Sequence, residues 1–87
     1  MKDFRTFLLS RKGWQDAKGN TVVFSDRGLF GEPKENELWL FMDEGLRCGG
    51  MNRPVEPSAE AVCDALVGVG KIELWEAIET DWNKEVL

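Results

Sequence analysis

Histidine is absent from the 87 residues of this chain. That removes Ser-His and Cys-His nucleophile systems, His-ligated zinc, and the side chain naturally poised for proton transfer near neutrality. Cysteine occurs only at Cys48 and Cys63, too few for a four-thiolate metal site. The pair could form one disulfide, but small secreted scaffolds usually carry several. Cys63 also falls on the apolar face of a predicted helix, where a thiol acts as a small hydrophobe, so both cysteines are read as reduced. No segment approaches the roughly 18–20 continuous apolar residues of a membrane span. Lys2 and Arg5 precede only Phe7, Leu8 and Leu9 before Arg11 and Lys12 follow, which is too short for a signal-peptide core. The expectation is a cytoplasmic protein starting at Met1. There is no Asp-x-Asp-x-Asp calcium loop, no internal repeat and no low-complexity run.

What is present is ordinary globular composition, with 43% hydrophobic and 31% charged residues. A chain of this length is expected to form one domain, residues 1–87, burying roughly 60–70% of its unfolded surface. That leaves no room for a large cofactor cleft, and no cofactor or metal is expected.

Hydrophobic spacing places the elements. Asp3 can cap a helix over about 3–12, in which Phe4, Phe7, Leu8 and Arg11 recur at i, i+3, i+4 and i+7 before Gly13. Trp14 to Asp16 and Thr21 to Phe24 flank a Gly19-Asn20 turn and read as a hairpin. Residues 25–36 read as a loop. Glu37 to Met42 is the strongest predicted strand, with five consecutive apolar residues. Its side chains must be apolar on both faces, so either helices cover both sides of the sheet or one side meets a partner. Residues 46–57, with Gly49, Gly50, Pro54 and Pro57, read as irregular. Ser58 opens a helix carried by Ala59, Val62, Cys63 and Leu66 and ended by Gly68 and Gly70. Residues 71–86 read as a third helix, with Leu74, Trp75, Ile78, Trp82 and Val86 on one face, although Ile72 and Leu74 would also suit a strand. The predicted fold class is α+β: a small antiparallel sheet of about three strands with one N-terminal and two C-terminal helices.

Motifs that would carry chemistry are weak. Gly68-Val69-Gly70 lacks the preceding strand and the third glycine of a dinucleotide loop. Arg47 beside Cys48 could lower a thiol pKa, but no base lies near it in sequence, and a surface turn is the simpler reading. A pair of carboxylates working across a cleft, as in glycosidases, would demand more chain than this. The protein is therefore read as non-enzymatic. Of the tryptophans, Trp39 and one of Trp75 and Trp82 are expected in the core. Trp14, just after a helix-stopping glycine, is expected at the surface as a binding anchor.

Charge is the most informative feature. Residues 1–27 carry a net charge of +3 and residues 28–87 a net charge of −8. Residues 54–87 hold eight carboxylates against Lys71 and Lys84. Such a surface repels nucleic acid and attracts a basic protein. Glu56, Glu60, Asp64, Glu73, Glu76, Glu79 and Trp14 are the predicted partner-binding residues. The expected partner is a larger protein with a basic surface; neither direct nucleic-acid binding nor a membrane is expected. In character (short, acidic, rich in tryptophan, without catalytic groups) the chain is similar to phage-encoded inhibitors of host defence, anti-CRISPR proteins among them. That resemblance implies an inhibitor occupying a nucleic-acid-binding surface. The alternative is a small regulatory or assembly subunit forming a homodimer through its apolar strand.

Overall fold

The computed structural model describes residues 3–27, 37–43 and 50–86. The fold is α+β, in the order α1 (Phe4–Ser10), β1 (Trp14–Gln15), β2 (Thr21–Ser25), β3 (Leu38–Asp43), β4 (Gly50–Val55), α2 (Ala59–Val67) and α3 (Ile72–Val86). The four strands form one antiparallel sheet in sequential order.

α1 begins where Asp3 Oδ1 accepts a hydrogen bond from the Thr6 backbone N–H at 2.7 Å, satisfying one of the free amides of the first turn. It ends at Ser10, two residues earlier than the spacing predicts. The Ser10 hydroxyl donates to the Phe7 carbonyl at 2.8 Å, and Arg11 turns to an extended conformation. The hairpin follows as expected. Asp16 organises its turn by accepting hydrogen bonds from the backbone N–H groups of Lys18 and Asn20, both at 2.9 Å, and from the Asn20 side-chain amide at 2.8 Å.

A fourth strand, β4, lies within the segment 46–57 that the sequence marks as irregular. It pairs with β3 from Leu38↔Val55 to Asp43↔Gly50. Pro54 is tolerated because β4 is the last strand of the sheet, where a missing N–H breaks no ladder on the outer side. Local glycine and proline content argued for a loop, and pairing with a strongly apolar neighbour overrode it.

α2 starts at Ser58, whose hydroxyl oxygen accepts from the Ala61 N–H at 3.1 Å. It closes with the Lys71 N–H donating to the Leu66 carbonyl at 2.8 Å, across a turn in which Gly70 has φ +78°. Residues 72–86 are helical throughout, which rules out the strand reading of Ile72 and Leu74. Val86, expected on the apolar stripe, is exposed. By the last turn the 3.6-residue period has carried it to the stripe's edge.

All three helices contribute to one core. Phe4, Phe7 and Leu8 of α1, Val62, Ala65 and Leu66 of α2, and Leu74, Trp75 and Ile78 of α3 pack with Trp14, Val22, Phe24, Leu38, Leu40, Met42 and Val55 of the sheet. Those strand residues share one face by the register of the pairs. The opposite face carries Val23, exposed, and Trp39 and Phe41, half-buried, with their rings 6.1 Å apart. Trp39 was expected in the core. Period-2 alternation sets it on the other side from Leu38 and Leu40, and its Nε1 is shielded from solvent without a hydrogen-bond partner. Among the described residues, no helix contributes to that face.

Candidate functional site

Glu56 follows β4, Glu60 and Asp64 lie on α2, and Glu73, Glu76 and Glu79 lie on α3. All six are exposed. Among the described residues, none of these carboxylates has an ion-pair or hydrogen-bond partner. The helical period explains their placement. On α2, Val62, Ala65 and Leu66 turn inward, so Glu60, Asp64 and Val67, spaced i, i+4 and i+7, share the outer side. On α3, Leu74, Trp75 and Ile78 turn inward, and Ile72, Glu76 and Glu79 share the outer side at the same spacing.

Two further carboxylates of α3 are used differently. Asp81 Oδ2 accepts a hydrogen bond from Trp14 Nε1 at 2.8 Å. Glu85 pairs with Arg11, whose guanidinium also lies over the Phe7 ring, 5.4 Å from its centroid. The charge of α3 is thus divided along its length. Its N-terminal half presents free carboxylates, while its C-terminal half is tied to α1 and β1.

Trp14 is a correction to the sequence reading. It is 8% exposed and packs between Phe7, at 5.5 Å, and Phe24, at 6.0 Å. The helix ends at Ser10, before Gly13, the chain then enters β1, and β-pairing of Trp14 with Val22 turns the indole onto the helix-covered face. Trp75 is also buried, and Trp82 is half-buried against Phe4 and Phe7. Neither Trp14 nor Trp75 offers more than a sliver of surface to a partner.

Sequence reasoning missed the apolar component of this region. Val67, Val69 and Ile72 are 44%, 39% and 52% exposed. All three lie at the corner where α2 turns into α3, and each acidic stripe runs into it. The signal was available: Val67 stands three residues after Asp64 and seven after Glu60, on the polar side of its helix. Glu56 and Asp64 also border a shallow groove of about 380 Å³ between β4 and α2, which Glu37 and Arg53 line as well.

Cys48, read from the sequence as part of a surface turn, lies outside the described residues. Cys63 is a free thiol, half-buried against the core. Among the described residues, no group of three or more acidic or cysteine side chains could hold a metal ion, and no helix is long and apolar enough to cross a membrane. No family model, no curated protein and no solved structure matches the chain.

Proposed function

We propose that this protein is a non-enzymatic inhibitor that binds the basic, nucleic-acid-binding surface of a larger protein through Glu56 and the carboxylates of α2 and the N-terminal half of α3. The observation that carries the reading is the free state of Glu56, Glu60, Asp64, Glu73, Glu76 and Glu79, set against the internal use of Asp81 and Glu85. Unpaired surface carboxylates add little to folding. They do create a field that speeds encounter with a cationic partner. A compact acidic body in a basic cleft takes the place of the polyanion that the cleft was built for.

The test is capture of the partner from the native host, followed by competition with single-stranded DNA and with RNA. Release of the partner by either polyanion, falling off as salt rises, supports the reading. A complex indifferent to both polyanions and to salt sinks it.

A second reading has its own observation. With Trp39, Phe41 and Val23 on a sheet face to which no described helix contributes, self-association through that face would cover large apolar side chains.

A further inference from the structure

We infer that the α2–α3 corner, Val67, Val69 and Ile72, is the anchoring point of the acidic surface, and that it takes an apolar side chain flanked by lysines or arginines on a partner protein. The inference rests on the function proposed above and assigns its contact point.

Interfaces draw most of their affinity from a small desolvated apolar centre, and a polar or charged rim supplies steering and specificity. The tryptophans were the obvious candidates for that centre. Trp14 and Trp75 are instead buried in the core, Trp82 packs edge-on against Phe4 of α1, and Trp39 is half-buried on the sheet face opposite the helices. The exposed large aliphatics at the corner occupy the vacant role. Single exposed valines or isoleucines need no explanation. Here three fall within six consecutive residues, at a turn where Val69 stands between Gly68 and Gly70.

Charge complementarity selects the occupant. Glu60 and Asp64 lead to Val67 along α2, and Glu76 and Glu79 lead away from Ile72 along α3. An incoming apolar group therefore passes four unpaired carboxylates. Lys18 and Lys71 border a small groove with Asp16, Ile72 and Glu73. An acidic or neutral apolar segment would meet repulsion or no steering along both stripes. A segment with cations beside its apolar residue would meet opposite charge on both.

The experiment titrates the isotope-labelled full chain with three synthetic peptides of equal length, following backbone and methyl resonances. One alternates lysine and leucine, one replaces every leucine with glutamine, and one replaces every lysine with glutamate. The Lys/Leu peptide should bind about tenfold more tightly than the Lys/Gln peptide, the gain expected from partly burying two or three aliphatic side chains. Its shifts should centre on Val67, Val69 and Ile72. The Val69→Ser/Ile72→Ser variant should keep its melting temperature and its affinity for Lys/Gln while losing the advantage of Lys/Leu. Equal binding of Lys/Leu and Lys/Gln at the carboxylates would overturn the corner and leave the acidic surface standing. Equally tight binding of Glu/Leu, or shifts confined to Trp39 and Phe41, would overturn the corner too. Failure of both lysine peptides to bind would remove the inference and the function beneath it together.

Discussion

Trp14 Nε1 donates a hydrogen bond to Asp81 Oδ2 at 2.8 Å, joining the first strand to the last helix across 67 positions of the chain. A partly buried charge-assisted bond of this kind carries more than a neutral surface bond. Asp81→Ala leaves the indole N–H without its acceptor and should lower unfolding free energy by about 1–3 kcal/mol. Trp14→Phe removes the donor, so the double variant should cost less than the two single changes added together. Urea denaturation of the four proteins measures the coupling; strict additivity would show that the bond contributes nothing.

Gly13 is, among the described glycines, the position least tolerant of a side chain. Its φ is +125°, and a Cβ there would stand 2.6 Å from the Val22 carbonyl oxygen and 2.9 Å from Val23 Cγ2. Gly13→Ala combines strained dihedrals with a clash against the partner strand and should cost roughly 1–3 kcal/mol. Gly19, at φ +87° with open space around it, should accept asparagine at much smaller cost, since Asn tolerates the left-handed region. Comparable melting temperatures for the two variants would contradict this account.

Acid should weaken the fold through two aspartates. Hydrogen bonding from the Thr6 backbone N–H, and then from the Thr6 side chain, holds Asp3 below the usual carboxylate value. Desolvation pushes Asp16 upward, but the bonds from Asn20 and Lys18 outweigh it, and its carboxyl too lies low. A depressed native value means that stability is present above the unfolded value of about 3.9 and is lost as pH falls through the native one. Melting temperature measured from pH 6 to pH 2 should drop below about pH 4. Replacing Asp3 and Asp16 with asparagine should flatten that drop; an unchanged profile would place the acid sensitivity elsewhere.

Glu73 and Glu76 are exposed and unpaired, so reversing both to lysine should change stability by no more than about 0.5 kcal/mol each. Association with the captured partner should slow, and its dependence on salt should flatten. Stopped-flow rates at low and physiological salt decide the matter. Matching slopes for wild type and variant would show that these carboxylates do not steer binding.

If the outer sheet face is an interface between copies, Trp39→Ser/Phe41→Ser should convert a dimer into a monomer in light scattering. Wild type that scatters as a monomer at all accessible concentrations would end the second reading.

What the sequence determined by itself was periodicity, capping and charge. The i, i+3, i+4 spacing in 4–10 and 59–67 has one physical solution, a helix with a single buried stripe, and Asp3 and Ser58 mark the two starts through their own side chains. In 72–86 the same spacing favours a helix, but Ile72 and Leu74 also suit a strand until the structure decides. The same spacing placed Glu73 and Glu76 in solvent. Tertiary structure decided whatever depended on a distant neighbour. β4 exists because β3 offers it a ladder, although Gly50 and Pro54 argue locally for a loop. Trp14 is buried because pairing with Val22 aims it at Phe7 and Asp81, residues that its immediate sequence cannot see. Trp39 lies opposite the core because all three helices pack against the same side of the sheet, a choice no single strand encodes. The exposed corner of Val67, Val69 and Ile72 emerges the same way: helix phase turns Val67 and Ile72 outward, but only the packing of α2 against α3 brings the two acidic stripes to one turn.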